Sequence, residues 1–264
     1  MKIIRLSKVY NKRNLTLIMN EQRSDFVMIK DYKSFRKEFD YKDPNYSIYY
    51  KFFKRPISYP LTWIIYRYTN LRPNALTYIG FFFALIASFF FILGDWKSLI
   101  IGIVFFFIFE LFDDFDGIIA RSKNIRSRRG GWLDILAGYI GKFIILGSLS
   151  VGAFNATQNP LFLILGLVTV ISFAALAEMD HVSKIRFSVV AQRKLKFEEH
   201  RPDHRTLGGA LSIASEILGN AWQYLLLIAC LTNRVPEFII VSALYYLIYA
   251  IAQFFYLNWK YRNA

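Results

Sequence analysis

The chain has 264 residues, 55% of them hydrophobic, with Phe alone at 26; soluble domains sit near about 45–50% apolar, and here the excess lies in long uncharged runs that exclude a soluble globular protein. The net charge of +14 does not signal nucleic-acid binding, because the basic residues are spread between apolar runs rather than gathered on one polar domain. Cys230 is the single cysteine, which excludes an intrachain disulfide.

Residues 1–48 are polar and basic and read as a cytosolic arm. The opening MKIIRLSKVYNKRN has no apolar stretch long enough for a signal peptide, so targeting is expected from the first membrane helix. Residues 49–74 read as an interfacial juxtamembrane segment, mixing aromatics with Lys51, Lys54, Arg55 and Arg67. Pro56 and Pro60 argue there against one long straight helix.

Residues 75–264 read as a six-transmembrane-helix bundle, so the fold class is an all-α polytopic membrane protein. The apolar spans are expected at 75–94, 98–117, 132–152, 160–180, 208–231 and 236–257. Each must be helical, since lipid offers exposed backbone groups no partner. The connections 118–131 and 181–207 are long and basic, the others short. Of the 33 Lys and Arg, 16 fall in residues 1–74, 5 in 118–131, 7 in 181–207 and 2 after 257. The positive-inside rule then places both termini and both long connections in the cytoplasm, at the inner or cell membrane of a prokaryote. The basic balance is accounted for by topology and anionic headgroups.

The stretch ELFDDFDGIIARSKNIRSRRGGWLDILAGYIGK carries the chemistry. Asp113 and Asp116, three residues apart on one helix, point to the same side. Gly117 and Ala120 follow, then Arg121, Gly130 and Asp134. Two antiparallel helices joined by this loop would bring Asp113, Asp116 and Asp134 together at the cytoplasmic membrane face. Three carboxylates so close to hydrocarbon need compensation. A hard divalent cation with oxygen ligands, Mg²⁺ or Mn²⁺, fits, its shell completed by water and substrate phosphate. The plainer alternative is pairing with Arg121, Arg126, Arg128 and Arg129, which serves one or two carboxylates more easily than three.

This stretch resembles the signature of the CDP-alcohol phosphotransferase (CDP-alcohol phosphatidyltransferase) family: Asp, two residues, Asp-Gly, two residues, Ala-Arg, about eight residues, Gly, three, Asp, three, Asp. Asp113, Asp116, Gly117, Ala120, Arg121, Gly130 and Asp134 match seven of the eight fixed positions, a chance of about 10⁻⁸ per starting point at ordinary residue frequencies. LRPNALTYIG, with Pro73, Asn74 and Thr77, also resembles the start of the first span in that family. The resemblance implies a six-helix membrane enzyme, usually a homodimer, in phospholipid headgroup synthesis. It would move a substituted phosphate from a CDP-linked donor such as CDP-diacylglycerol to an alcohol acceptor and release CMP. Asp113, Asp116 and Asp134 would be metal ligands. Gly117 and Ala120 would leave room for the cytidine nucleotide, with Arg121 and Gly130 in its neighbourhood.

The eighth position departs: Gly138 stands where the family has Asp, its proposed general base. A positioned base contributes about 10²–10⁴-fold, so transfer is expected to be slow while donor binding survives. Asp114 is turned about 100° away from Asp113; Glu178, Asp180 and His181 at the end of the fourth span are the other candidate replacements. A catalytically silent relative that binds nucleotide or lipid, or partners an active paralogue, is the alternative. A channel or transporter, with Glu110, Lys142 and Glu216 marking a pathway, is the third reading and is disfavoured by the ordered motif. Lys142 shares a face with Asp134 and Gly138, about 12 Å deeper than Asp134. It is expected either to pair with Glu110 or to reach up into the space beside Gly138. His200 and His204 read as loop residues. The acceptor and the role of the N-terminal arm are not legible.

Overall fold

The computed structural model describes residues 31–39, 54–193 and 222–262. The readings for most of the N-terminal arm, His200, His204, Glu216 and the first part of the fifth span fall outside these residues. The described residues form eight helices and no strand: α1 (Tyr32–Phe39), α2 (Arg55–Tyr68), α3 (Pro73–Leu93), α4 (Trp96–Ser122), α5 (Arg128–Thr157), α6 (Leu161–Arg193), α7 (Trp222–Leu231) and α8 (Val235–Arg262). Four of them, α3, α5, α6 and α8, contain stretches long and apolar enough to cross a membrane. The protein is an integral membrane protein of the all-helical class.

Helix α2 contains both prolines of the juxtamembrane segment. Pro56 sits in the first turn, where its missing N–H has no intrahelical partner to lose. Pro60 removes a single early hydrogen bond. Ser58, Tyr59, Thr62 and Tyr66 are buried, whereas Ile57, Leu61, Ile64 and Tyr68 on the opposite face are exposed. A helix with one apolar face on protein and another left open suits the membrane interface. Its inner face and Phe35 of α1 close a small core with Phe115, Ile118 and Ile119 of α4.

Helix ends follow local chemistry. Asp95 caps α4 by accepting from Ser98 N at 3.1 Å, and the Ser98 side chain and backbone together hold its carboxyl below the usual range. Ser127 caps α5 by accepting from Gly130 N at 2.9 Å. Gly94 ends α3 in the left-handed region at φ 77°. Helix α6 corrects the sequence expectation of a connection from residue 181. It runs on to Arg193, because HVSKIRFSVVAQR holds no Gly or Pro to stop it. At 33 residues it is about 50 Å long, well beyond a hydrocarbon core of about 30 Å.

Helix α3 packs along both α4 and α5, which touch each other little. Small residues allow this. A Cβ at Gly80 would stand 2.8 Å from Phe112 Cβ, and one at Gly152 would stand 2.0 Å from the Phe91 carbonyl oxygen. Backbones in contact at this distance are how membrane helices gain packing that lipid does not otherwise drive. Gly152→Ala is therefore expected to lower stability by about 1–3 kcal/mol, read as a lower unfolding temperature in detergent.

The two ends of the bundle differ. At one end the short connections are tied together by Trp96 Nε1 donating to the Leu231 carbonyl at 3.2 Å and Asn155 Nδ2 donating to the Ile92 carbonyl at 2.7 Å. At the other end Lys123 Nζ donates to the carbonyls of Thr69 and Leu71 at 3.3 and 3.2 Å. Burial lowers the Lys123 pKa there. That contact fixes the α4–α5 turn against the α2–α3 turn, and the acidic motif opens at this end.

Candidate active site

A cavity of about 240 Å³ lies between the start of α3, the last turns of α4 and the first turns of α5. Asn74 and Thr77 of α3 line it, with Asp116, Gly117, Ala120 and Arg121 of α4 and Gly130 and Asp134 of α5. Six of the seven matching motif positions thus line one cavity. The seventh, Asp113, sits to the side: its Oδ1 is 3.5 Å from where a Cβ at Gly138 would stand.

Each small residue has a visible reason. A Cβ on Gly130 would crowd Ser127 Oγ at 3.0 Å and Asn74 Oδ1 at 3.1 Å, so glycine lets the cap of α5 approach the start of α3. Gly117 lets the Arg121 guanidinium lie close, with Nη1 3.3 Å from the Cβ position. Arg121 Nε is buried without a hydrogen-bond partner among the described residues, and its charge attracts Asp134.

The carboxylates are held in different ways. Asp116 is 3% exposed and accepts a hydrogen bond from the Thr77 hydroxyl. Asp116 repels Asp134, and Asp113 repels both. Asp114 faces the other way, as the helical turn requires, and pairs with Lys54 Nζ at 3.1 Å. It is therefore not a replacement for the missing carboxylate at 138. Glu178 and His181 are exposed on α6 and do not line the cavity; the side chain of Asp180 is outside the described set. Thr77→Val removes the hydroxyl that donates to Asp116. A support of this kind is worth about 10–100-fold, expected as a fall in kcat with donor KM little changed.

Below the motif lies an ionic cluster. The expected pair forms: Lys142 Nζ is 3.8 Å from Glu110 Oε1. Glu110 also receives Lys54 Nζ at 3.5 Å and a hydrogen bond from Gln223 Nε2 at 2.6 Å. Burial works to strip the Lys54 proton, but Glu110, Asp114 and Asp113 outweigh it and hold its pKa above the usual value. The sequence reading passed over Lys54 and Gln223 as partners. For Lys54 a signal was present: residues 54, 58, 62 and 66 recur every fourth position, and the last three are the buried stripe of α2.

Among the described residues no three His, Cys, Asp or Glu side chains form a ready-made metal cluster. The spacing of α4 and α5 on either side of α3 explains this: the carboxylates face each other across a cleft. The donor set still suits a hard cation. Mg²⁺ and Mn²⁺ take one or two carboxylates and fill the remaining positions with water and phosphate oxygens, and the space for those is the cavity itself.

The fold and the cleft define a helical membrane protein with an acidic site at one end of its bundle. A profile of the CDP-alcohol phosphatidyltransferase family matches residues 70–259, and the chain belongs to that family. It is a transferase of the CDP-alcohol type, acting in phospholipid synthesis. Among solved structures it is similar to the phosphatidylinositol phosphate synthase of Mycobacterium tuberculosis with CDP-DAG bound, at 17% identity and a TM-score of 0.42, over 74% of this chain and 94% of that one. No curated protein matches the chain.

Proposed function

We propose that the chain transfers a substituted phosphate from a CDP-alcohol, such as CDP-diacylglycerol, to an alcohol acceptor, with Mg²⁺ or Mn²⁺ required and CMP released. The observation that carries this is the cavity lined together by Asp116, Gly117, Ala120, Arg121, Gly130 and Asp134. Asp113, Asp116 and Asp134 would hold the metal, which when bound neutralises charge on the phosphate oxygens. Gly117 and Ala120 keep the α4 wall low enough for a flat base and sugar. Arg121, attracted to Asp134, stands where the donor pyrophosphate would bring negative charge. Thr77 keeps Asp116 turned into the cleft. At Gly138 there is no side chain to take the proton of the attacking hydroxyl, so turnover is slower than in a site with a carboxylate there, by about 10²–10⁴-fold.

The rest of the reading follows the same logic. Six crossings would be made by α3 to α6, by α7 with the residues before it, and by α8. Helix α4 carries four acids in 27 residues, which lowers its hydropathy without shortening it. The basic residues of the connections support a cleft on the cytoplasmic side by the positive-inside rule. Residues 1–48 would be an arm, 49–74 the interfacial segment and 75–264 the enzyme domain, working as a homodimer. Gly138 also favours a second reading, in which the chain binds donor without turning it over.

Binding of CDP to the detergent-purified full chain with Mg²⁺ tests the proposal. The expected result is saturable binding, weakened by about 10-fold or more in Ala120→Leu, whose added carbons fill the cavity. A chain that binds no cytidine nucleotide with or without metal contradicts both readings.

A further inference from the structure

Lys54 stands at the start of α2, outside residues 70–259 that match the family. Its ammonium lies 3.1 Å from Asp114 Oδ1 and 3.5 Å from Glu110 Oε2, and its side chain is only 10% exposed. Glu110 and Asp114 are four residues apart on α4, so they stand one above the other on one face. Lys54 thus grips a single turn of α4 at two points. The body of α2 holds it there, because Tyr59 and Tyr66 pack in one core with Phe115, Ile118 and Ile119 of α4.

The motif carboxylates lie round the axis of that same turn. Asp113 is about 60° from Glu110, and Asp116 about 120° in the same direction. Asp116 is held from α3 by the Thr77 hydroxyl. Asp113 therefore lies between two polar holds, Thr77 on one side and Lys54 on the other. The rotation of α4 matters to a hard cation. A carboxylate about 5–6 Å from the axis moves about 2 Å when the helix turns by about 20°, and an ion that demands near-octahedral oxygen geometry does not tolerate such a shift. Asp134 comes from α5, which touches α4 little, so the rotation must be set by other elements.

We infer that Lys54 is a positioning residue for the site: by gripping Glu110 and Asp114 it sets the rotation of α4 at which Asp113 and Asp116 hold a divalent cation with Asp134. The juxtamembrane segment is then a working part of the transferase as well as a contact with the membrane. The inference rests on the ligand set of the proposed function.

Mn²⁺ binding to the full chain in detergent, stripped with EDTA and followed by electron paramagnetic resonance of free Mn²⁺, tests this without turnover. Lys54→Met/Asp114→Leu removes one charge of each sign, so the net charge beside the cleft is kept while the grip is lost. The expected result is a dissociation constant about 10-fold or more above that of the wild type, with little change in the unfolding temperature in EDTA. Lys54→Gln separates position from charge. Loss of a positive charge near the carboxylates would by itself tighten Mn²⁺ binding, whereas a loosened α4 weakens it, and weaker binding is expected. A folded double variant with wild-type affinity overturns the inference, as does unchanged or tighter binding in Lys54→Gln; either leaves the metal requirement standing. If the double variant does not fold, Lys54→Gln decides alone. No Mn²⁺ bound by the wild type brings down the ligand set itself, and the inference with it.

Discussion

Asp116→Asn is expected to lower CMP release by about 10³-fold or more, while raising the stability of the metal-free protein. Both signs come from one arrangement. Asp116 is buried to 3% exposure, takes the Thr77 hydroxyl and faces the charge of Asp134. The amide keeps the shape, and its oxygen can still accept from Thr77, so the fold has no reason to suffer. The charge repulsion with Asp134 disappears, a relief on the order of 1 kcal/mol in a partly solvated cleft. In the proposed function the same lost charge would remove a metal ligand, and metal stabilisation of developing charge is worth several kcal/mol in the transition state. Initial rates of CMP release and unfolding temperatures in EDTA check the two halves. A rise in stability with unchanged turnover would mean that Asp116 is structural and that the chemistry lies elsewhere.

Glu110→Ala is expected to have the largest effect on stability, a loss of about 3–5 kcal/mol. Lys54 keeps Asp114 as a partner at 3.1 Å, but Lys142 loses the only salt-bridge partner it has among the described residues. Gln223, buried at 5% exposure, loses its acceptor as well. A charge left without its counter-charge inside a helical bundle is far more costly than an ion pair lost together. Glu110→Ala/Lys142→Met should therefore recover most of the stability lost in Glu110→Ala. The check is a double-mutant cycle by chemical unfolding in detergent. A loss in the double variant equal to the sum of the losses in Glu110→Ala and Lys142→Met would show that Glu110 and Lys142 are not coupled.

Much of this was legible from residue order. The motif from Asp113 to Gly138 has local spacing, and local spacing on a helix fixes which side chains share a face. That placed Asp116 with Gly117 and Ala120, turned Asp114 away, and set Lys142 beneath Asp134 on the side of Glu110. What was not legible depends on which helices are neighbours. The expected antiparallel pair of helices joined by the 118–131 loop gave no place to α3, which packs along both α4 and α5 while these touch each other little. Asp116 and Asp134 line the cleft with Asp113 to the side. Lys54 comes from a helix outside the motif, and only its place on the stripe with Ser58, Thr62 and Tyr66 hinted that it points inward. The length of α6 was missed because a drop in hydropathy was read as the end of a helix, when it marks only a change of surroundings.

The measurement that bears most directly on the central claim is CMP release by the purified chain in lipid vesicles, supplied with CDP-diacylglycerol and a mixture of alcohols. Release that requires Mg²⁺ or Mn²⁺, stops with EDTA and is lost in Asp134→Asn is the predicted result. Release that continues in EDTA or survives Asp134→Asn would contradict it.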